Sequence, residues 1–261
     1  MAPELRTFDG SAFRSQQLLD AKAERTISVV IPSRDEERTV AAVVRAVRGP
    51  HVLAAGGSGL VDEVVVVDDG STDATAAAAR AAGARVVRLA PGGGKGQAMR
   101  AGLDASLGEI VVFLDADVQN TSEHFVSGLV GPLLAHDDIT MVKGFYQRPL
   151  HGAPSGGGRV TELVARPLIE LCFPELGAVR QPLAGETASH RWVLEKVGFA
   201  GGYGVELGLL VDVARRFGVG TLAQVDLGTR VHRNRPLDQL RPQAVDVLRA
   251  ALERMGPGTP S

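Results

Sequence analysis

The first 120 residues of the chain alternate between short, continuously apolar segments and longer segments in which apolar residues recur at helical spacing. The string TISVVIP at 26–32 is a β-branched run closed by Pro32, which is typical of a buried strand. The string DEERTVAAVVRAVRG at 35–49 has acidic residues in its first turn and a terminal glycine. Together with the helical spacing, these features predict a helix after the first strand.

The same alternation of strand and helix continues up to residue 120. The predicted segments are a strand at 63–67, a turn at 68–73, an alanine-rich helix ending at Gly83, a short strand at 84–90, a glycine loop opening a helix at 91–106, and a strand at 109–117. Apolar strands that alternate with helices indicate a doubly wound α/β fold, with a mainly parallel sheet covered by helices on both faces. In such sheets ligands bind beyond the carboxyl ends of the strands.

The second half of the chain is less regular. Its pattern predicts a strand at 137–150, a glycine-rich loop entering a helix at 151–172, a helix at 202–218 and a strand at 222–234. We expect 1–24 to be an N-terminal arm or a short leading helix, 25–120 and 121–250 to be the two halves of one domain, and 251–261 to be a frayed tail rich in Gly and Pro.

Composition narrows the classes of function. With 261 residues and 44% hydrophobic composition, the chain can bury one large core. A net charge of −2 excludes a broad field that would attract nucleic acid or anionic lipid. Cys172 is the sole cysteine, which excludes an internal disulfide and fits a reducing compartment. The N-terminus lacks a long apolar signal and no apolar run reaches the length of a membrane span, so we expect a soluble cytoplasmic protein.

Two aspartates separated by one alanine end the strand in the string VVFLDAD at 111–117. Asp115 and Asp117 should face the same side of the chain, because residues i and i+2 of a strand do so. Two carboxylates repel each other and are costly to bury unpaired, but a divalent cation between them and a polyanionic ligand removes that cost. Oxygen ligands suit Mg²⁺ or Mn²⁺. The alternative is a solvated strand end with a turn helped by Asn120.

A second pair of aspartates follows the strand predicted at 63–67, on the same edge of the sheet. Asp68 or Asp69 is placed to hydrogen-bond a ribose or a base. Alternatively, the polar residues here cap the next helix, for which Ser, Thr and Asp at 71–73 are suitable. We assign the cap to 71–73 and the ligand role to Asp68 or Asp69.

Two glycine-rich loops are candidate anion sites. PGGGKGQ at 91–97 is not a P-loop, because Lys95 is followed by glycine, and it lacks the third glycine of a dinucleotide fingerprint. These departures weigh against an NTPase and a dehydrogenase. Two interpretations remain: a loop that places Lys95 at a helix N-terminus, where it can bind a nucleotide, or a plain turn. In GGGRVTE at 156–162 the glycines let the backbone approach an anion closely, and the guanidinium of Arg159 can bind phosphate or carboxylate. The alternative is a linker that ends in a surface arginine. The two loops suggest two anionic ligands, a nucleotide diphosphate and a phosphorylated acceptor.

Arg230 and His232 share one face of the last predicted strand. A lone histidine is more often structural than a metal ligand. The neighbouring arginines Arg230, Arg233 and Arg235 would disfavour protonation of His232 and leave the neutral imidazole that a metal needs. The spacing therefore leaves both a structural role and metal ligation open.

In these motifs the chain resembles the GT-A glycosyltransferases, and within them the glucosyl-3-phosphoglycerate synthases of actinobacteria. The general likeness lies in VVIPSRDEE, VVVVDDGSTD and VVFLDAD, in that order. The specific likeness lies in GKG, VGPLL, VKGFYQRPL, GGGRVTELVARPL, PELG, QPLAGE, GYGVELGLLVD and VHRNRPL. These strings are spread in register over roughly residues 27–240.

The resemblance implies one GT-A domain in which 25–120 is the nucleotide-sugar-binding half and 121–250 is the acceptor-binding half. It implies transfer of glucose from UDP-glucose to the 2-hydroxyl of 3-phospho-D-glycerate with retention of configuration, a Mg²⁺ or Mn²⁺ cofactor, and a homodimer without integral membrane association. The product would feed methylglucose lipopolysaccharide biosynthesis. The alternatives are a mannosyl-3-phosphoglycerate synthase that uses a GDP-sugar and a sugar transferase that acts on polyprenyl phosphate.

The resemblance also implies roles for particular residues. Those for the nucleotide sugar are Pro32, Ser33, Glu36, Asp69, Lys95, Asp115, Ala116, Tyr203 and Glu206. Those for the acceptor are Gly158, Arg159, Val160, Thr161 and Asn234. The metal ligands would be Asp117 and His232, and the catalytic set would be Asp117, Glu206 and Arg230. For retention we favour attack on the side of the departing UDP, with Glu206 binding sugar hydroxyls and not acting as a nucleophile.

This chain departs from the family pattern in places. The turn is DDGSTD where relatives can carry DSGSTD, which changes the contact expected at Asp69. Ala116 stands where serine can occur, which removes a possible hydroxyl contact to the ribose. The chain also stops soon after VHRNRPL, so we expect a shorter tail than in relatives that use one to cover the site or support a dimer.

Overall fold

The structure, a computed structural model, describes residues 4–49, 59–147, 149–150, 153–156, 158–231 and 237–255. Its strands are β1 Arg6–Asp9, β2 Ile27–Ser33, β3 Glu63–Asp68, β4 Arg85–Arg88, β5 Ile110–Phe113, β6 Met141–Gln147, β7 Pro149–Leu150, β8 Ala153–Gly156, β9 Thr187–His190 and β10 Leu222–Thr229. Its helices are α1 Ser15–Lys22, α2 Val40–Val47, α3 Thr75–Ala81, α4 Gly94–Ala105, α5 Glu123–Ala135, α6 Arg166–Cys172, α7 Arg191–Leu194, α8 Val205–Phe217 and α9 Leu237–Arg254. None of these helices combines the length and the apolar character that crossing a membrane requires.

Eight of the strands form one sheet in the order β1-β10-β6-β9-β5-β2-β3-β4. Neighbouring strands are parallel except at β9, which runs antiparallel to both β5 and β6. β7 and β8 pair separately as a short antiparallel ribbon. The predicted doubly wound, mainly parallel α/β architecture is therefore confirmed, and β9 is a strand that the apolar pattern did not reveal.

The sheet is buried on both faces, which explains why β5 and the middle of β2 and β3 are apolar runs in the sequence. Along β2, Ile27, Val29 and Ile31 pack into one core with α2 and α5, whereas Val30 packs into the other core with α4 and α8. All four side chains are fully buried. Burying a side chain of this size stabilises the fold by roughly 1.5–3 kcal/mol, so the two filled faces hold the strand ends that carry the site.

Residues 4–24 do not form a separate arm. β1 pairs in parallel with β10 at the edge of the sheet, with Arg6 opposite Ala223. α1 follows and packs beside α5, and its Leu18 is buried in the core. The segment thus contains a short leading helix, but also a strand that was not predicted, because four residues of alternating burial carry too little apolar signal.

The tail expected to fray from residue 251 is helical at its start, so that boundary was wrong. α9 continues to Arg254, and Ala250 and Ala251 are buried in the fold. Arg254 NH2 also forms an ion pair at 2.6 Å with Oδ2 of Asp212 in α8. The Gly-Pro composition that suggested fraying belongs to residues 256–261, which lie outside the described residues.

Candidate active site

A cavity of about 280 Å³ lies at the carboxyl ends of β2, β3 and β5, where sheets of this kind bind ligands. The residues predicted for the site that line it are Pro32, Ser33, Glu36, Asp69, Lys95, Asp115, Ala116, Asp117, Gly158, Arg159, Val160, Thr161, Tyr203, Glu206 and Arg230. The other two, His232 and Asn234, lie outside the described residues. The fold therefore brings the predicted donor and acceptor residues, which come from distant parts of the chain, to one space.

Two cations neutralise the aspartates that follow β5. Lys95 Nζ lies 2.5 Å from Asp115 Oδ1 and 2.5 Å from Glu206 Oε1. Arg230 NH2 lies 2.8 Å from Asp115 Oδ2 and 2.8 Å from Asp117 Oδ1. Hydrogen bonds between ionised partners are the strong ones, so the protein itself offsets the repulsion between these carboxylates.

The charges of this cluster shift the pKa values of its members. Burial alone would raise the pKa of Asp115, but the charges of Lys95 and Arg230 outweigh burial and hold that pKa well below its usual value. Burial alone would lower the pKa of Lys95, but Asp115 and Glu206 raise it above its usual value. Both groups stay ionised near neutral pH, so they supply fixed charge and not general acid or base catalysis.

The two aspartates at the carboxyl end of β3 have different roles. Asp68 is fully buried, and it accepts hydrogen bonds from Ser71 N through Oδ1 and from Arg88 Nε through Oδ2, each at 2.9 Å. Asp69 lines the cavity and accepts from Gly94 N at 3.0 Å through Oδ2. Its Oδ1 is buried without a hydrogen-bond partner among the described residues. Because buried polar atoms are nearly always satisfied, Asp69 is the ligand candidate and Asp68 is structural.

The polar string after these aspartates is divided between a contact with the next helix and a loop contact. Asp73 lies two residues before α3 begins, and its Oδ1 accepts from Thr75 N, in the first residue of that helix, at 2.9 Å. Ser71 Oγ instead accepts from Asp35 N at 3.0 Å. Asp35 has a left-handed φ of 54°, a conformation that aspartate tolerates better than most residues. These contacts join the turn after β3 to the loop that carries Glu36 to the cavity.

The first glycine loop forms a helix start. α4 begins at Gly94, so Lys95 lies in its first turn, as predicted. Gly94 has a φ of 75°, which favours glycine. A Cβ at Gly96 would lie 1.9 Å from Ala200 O, so the helix packs directly on the main chain of another segment. The loop is therefore not a plain turn, because it places Lys95 beside the carboxylates of Asp115 and Glu206.

The second glycine loop reaches the cavity through Gly158, Arg159, Val160 and Thr161. Gly158 has a φ of 82°, again in the region that favours glycine. The helix that follows begins with a π-helical segment, Thr161–Ala165, and such segments are frequent at functional sites. Thr161 is buried at the cavity wall. These four residues therefore line the cavity, whereas their binding of an anion stays a prediction.

Sequence reasoning missed three charged or polar residues that lie behind the aspartates. Glu186 is fully buried, and it accepts from Tyr146 OH at 2.7 Å and from Arg230 NH1 at 3.3 Å. Lys143 is buried and its Nζ donates to Ala184 O at 2.6 Å. Burial lowers the pKa of Lys143 to about 8. The strings VKGFYQRPL and QPLAGE contain all three, but no local pattern marks a residue as a buried charge.

One wall of the cavity was also missed. α9 contributes Leu240, Gln243 and Val247 to the lining. A signal was present in the sequence, because Leu240, Ala244, Val247 and Ala251 recur at helical spacing. That spacing predicts a helix after VHRNRPL, which the structure contains.

The two carboxylates fit a divalent cation in their chemistry. Asp115 and Asp117 present oxygen atoms at the cavity, with side chains 18% and 22% exposed. Among the described residues, Asp117 uses only Oδ1 in hydrogen bonds. Carboxylates completed by ligand phosphates are typical of Mg²⁺ sites. The described residues hold no group of three or more His, Cys, Asp or Glu that would complete a metal site, so ligation by His232 stays a prediction.

Comparison with known proteins identifies the family. The profile of Glycosyl transferase family 2 matches residues 28–155. The glucosyl-3-phosphoglycerate synthase of Mycolicibacterium paratuberculosis is 48% identical over 267 residues, which cover 96% of this chain and 79% of that protein.

Two crystal structures of the glucosyl-3-phosphoglycerate synthase from Mycobacterium tuberculosis share the fold. The complex with Mn²⁺, UDP-glucose and phosphoglyceric acid has a TM-score of 0.87 at 45% identity, covering 98% of this chain and 89% of that chain. The complex with Mn²⁺, UDP and glucosyl-3-phosphoglycerate has a TM-score of 0.88 at 45% identity, covering 99% and 89%. The predicted GT-A fold is thereby confirmed. The chain belongs to the glucosyl-3-phosphoglycerate synthases.

Proposed function

We propose that this chain transfers glucose from UDP-glucose to the 2-hydroxyl of 3-phospho-D-glycerate with a divalent cation as cofactor, releasing UDP and glucosyl-3-phosphoglycerate. The observation that carries the proposal is that Asp115, Asp117, Lys95 and the 158–161 loop all line one cavity of about 280 Å³. The first three suit a metal-bound nucleotide diphosphate, and the loop offers an arginine fork to a phosphorylated acceptor. The relative's name and the solved complex with UDP-glucose and phosphoglyceric acid favour these substrates over a GDP-sugar or polyprenyl phosphate.

On the donor side, Asp69 supports the proposal through its buried Oδ1, which has no hydrogen-bond partner among the described residues. A carboxylate oxygen accepts from the hydroxyl or N–H groups that a uridine presents. Pro32, Ser33 and Glu36 line the same cavity from the end of β2 and the loop after it. We assign this group to the uridine part of the donor.

The proposed mechanism uses fixed charges and positioning. A divalent cation, held by Asp117 with Asp115 nearby and His232 as the proposed second ligand, would neutralise charge that develops on the diphosphate as the glycosidic bond breaks. Lys95 and Arg230 add positive charge at the same place. The 158–161 loop holds the attacking hydroxyl close to the anomeric carbon. For retention we propose attack on the face of the departing UDP, with a diphosphate oxygen accepting the hydroxyl proton.

Glu206 is the carboxylate to weigh as a nucleophile, because retaining glycosidases use a carboxylate beside the anomeric carbon. It is 5% exposed, and its Oε1 is 2.5 Å from Lys95 Nζ. This contact fixes the carboxylate and offsets its charge, which suits an acceptor for sugar hydroxyls better than an attacking group. We therefore assign Glu206, with Tyr203 at the same wall, to the donor glucose.

Glu206→Gln should lower kcat by about 10- to 100-fold, the loss expected for one hydrogen bond to a charged group. No glucosyl-enzyme should accumulate, which intact-protein mass spectrometry during turnover would check. The exposed Glu195 provides the matched control, Glu195→Gln, which should keep the wild-type rate. Near-complete loss of turnover in Glu206→Gln, together with a glucosyl adduct that forms on the wild-type protein and not on this variant, would overturn front-face attack.

The reaction predicts that UDP is released from UDP-glucose only when Mg²⁺ or Mn²⁺ and 3-phosphoglycerate are both present. The cation stabilises the leaving diphosphate and the acceptor supplies the nucleophile, so neither alone suffices. A UDP-detection assay with each component omitted in turn measures this, with glycerate as the acceptor lacking a phosphate. Faster turnover of GDP-mannose than of UDP-glucose, or equal release without acceptor, would contradict the proposal.

Finer attributes of the proposal follow from the family resemblance. They are a homodimer, a cytoplasmic location and delivery of the product to methylglucose lipopolysaccharide biosynthesis. The division into a donor half at 25–120 and an acceptor half at 121–250 belongs with them. Asp69 and Lys95 come from the first half and Arg159 from the second, but Tyr203 and Glu206, which we assign to the donor glucose, also come from the second.

A further inference from the structure

Three buried side chains form a connected group behind the aspartates: Glu186, Tyr146 and Arg230, which are 0%, 3% and 3% exposed. Tyr146 OH donates to Glu186 Oε2 at 2.7 Å. Arg230 NH1 donates to Tyr146 OH at 2.5 Å and to Glu186 Oε2 at 3.3 Å. Arg230 Cζ also lies 5.2 Å from the centroid of the Tyr146 ring. One nitrogen of the guanidinium is thus held by Glu186 and Tyr146, while NH2 faces Asp115 and Asp117.

The sheet topology explains how these side chains meet. β10, β6, β9 and β5 are neighbours in that order. Arg230 follows β10, Tyr146 lies near the end of β6, and Asp115 follows β5, so all three lie at carboxyl ends of parallel strands. β9 runs the other way, so its first residue lies at the same edge of the sheet. Glu186, immediately before β9, is therefore delivered between Tyr146 and Asp115.

The main chain around Glu186 is packed closely. Gly144 N donates to Glu186 O at 2.8 Å. A Cβ at Gly185 would lie 2.2 Å from Asp115 Oδ1, so this segment packs directly on the aspartate. Because a guanidinium is a rigid planar fork, fixing NH1 of Arg230 also fixes the direction of its NH2.

Charge explains why a carboxylate is suited to this position. Arg230 is buried and always ionised, and a buried cation needs a partner. Asp115 and Asp117 line the cavity and are candidates for contact with a metal and a diphosphate. Glu186 is fully buried and does not line the cavity, so a ligand there does not compete for it. We therefore expect Glu186 to stay paired with Arg230 when a substrate binds, as it is in the free protein.

We propose that Glu186, together with Tyr146, is a positioning residue that fixes the Arg230 guanidinium with its NH2 group directed at the place of the donor diphosphate. The inference rests on the donor site of the proposed function. Glu186 touches no substrate and acts through Arg230. Tyr146 acts as the bridge, because its hydroxyl accepts from the guanidinium and donates to the carboxylate.

A double-mutant cycle tests whether Glu186 acts through Arg230. Glu186→Gln should lower kcat/KM for UDP-glucose about 10- to 100-fold, the loss expected for a hydrogen bond to a charged group, and leave KM for 3-phosphoglycerate unchanged. In an Arg230→Ala background the same change should cost less than about threefold, because residues that act through one another are not additive. Tyr146→Phe should show the same coupling with a smaller loss, and it replaces Glu186→Gln if that variant does not fold.

Ser189→Ala is the matched control for a buried polar substitution on the same strand. Ser189 is fully buried in β9, and its Oγ donates to Thr140 O at 2.8 Å and makes no contact with Arg230. This variant should keep the wild-type kinetics even where it lowers Tm. A loss of kcat/KM in Ser189→Ala as large as in Glu186→Gln would assign the effect to general disruption of β9 and overturn the proposal.

The same double-mutant cycle can be measured without turnover, from the affinity for UDP in the presence of Mn²⁺ determined by calorimetry. Glu186→Gln should weaken UDP binding by about tenfold or more in the wild-type background and leave it nearly unchanged in Arg230→Ala. Equal weakening in both backgrounds, or unchanged UDP affinity with a lowered Tm, would overturn the role of Glu186. The proposed function would be refuted if the wild-type protein bound UDP but released none from UDP-glucose with 3-phosphoglycerate. The cycle of UDP affinities would in that case still decide whether Glu186 positions Arg230 or is only structural.

Discussion

Asp117→Asn is expected to lower the rate of UDP release by about 1,000-fold or more, because a metal ligand contributes several kcal/mol of transition-state stabilisation. Asp117 lies just beyond β5 with its side chain 22% exposed, and its Oδ1 is 2.8 Å from Arg230 NH2. The amide keeps the size of the side chain but loses the charge and one of the two oxygens that a hard divalent cation prefers. Initial rates at saturating UDP-glucose and 3-phosphoglycerate, over a range of Mn²⁺ concentrations, measure the effect.

Asp104→Asn is the matched control for this substitution. Asp104 is an exposed aspartate of α4 that pairs with Arg100 at 3.0 Å, and its variant should keep the wild-type rate. Binding of Mn²⁺ in the presence of UDP, followed by electron paramagnetic resonance, separates loss of the metal from loss of the fold. Turnover of Asp117→Asn within about tenfold of wild type, a barrier change of only about 1.4 kcal/mol, would remove Asp117 from the proposed metal site.

The strands that lead to Asp69 and Asp117 could be predicted because they are buried on both faces, although β5 ends at Phe113 and not at residue 117 as predicted. β5 consists entirely of buried apolar residues, and β3 has four buried valines between Glu63 and Asp68. A short apolar run between two helical segments is typical of a strand inside a parallel sheet. β9 carries no such signal, because its sequence is Thr-Ala-Ser-His. Its buried Ser189 is satisfied by Thr140 O at 2.8 Å, a tertiary contact that hydropathy does not register.

Asp68 and Asp69 show where prediction from local sequence stopped. Asp68 is the last residue of β3 and Asp69 follows it, and both suited a ligand contact. Strand register separates them, because Asp68 stands opposite Arg88 of β4 and accepts from its Nε at 2.9 Å. That partner is set by the neighbouring strand, and only the folded sheet reveals it.

Glu186 and Tyr146 could not be predicted for a related reason. Each belongs to a string that carries the family likeness. However, neither residue comes directly after one of the apolar strands whose ends were predicted to form the site. Their contact with Arg230 depends on the order β10-β6-β9-β5 and on the reversed direction of β9. The sequence predicts which residues lie at strand ends, whereas the strand order decides which of those residues meet.

Lys95→Met is expected to reduce both stability and catalysis. Without the ammonium group, Asp115 keeps its contact with Arg230, but Glu206, which is 5% exposed, loses the cation 2.5 Å from its Oε1. Breaking a buried pair by removing one partner costs about 3 kcal/mol. A loss of that size lowers Tm by roughly 6–12 °C in a chain of this length. kcat/KM for UDP-glucose should fall about 100-fold or more, because a fixed positive charge beside the donor diphosphate is lost.

A second substitution separates the two losses. In Lys95→Met/Glu206→Gln the uncompensated carboxylate is gone, so the free energy of unfolding should return toward the wild-type value. Activity should stay well below that of Glu206→Gln alone, because the positive charge of Lys95 is still missing. Lys196→Met is the matched control, since Lys196 is exposed and lies 5.0 Å from the centroid of the Trp192 ring, away from the cavity lining. Urea unfolding and UDP-release kinetics are measured on the same preparations. Activity that recovers to the level of Glu206→Gln together with stability would make Lys95 a structural counter-ion. A Lys95→Met variant as stable as wild type would contradict the buried pair.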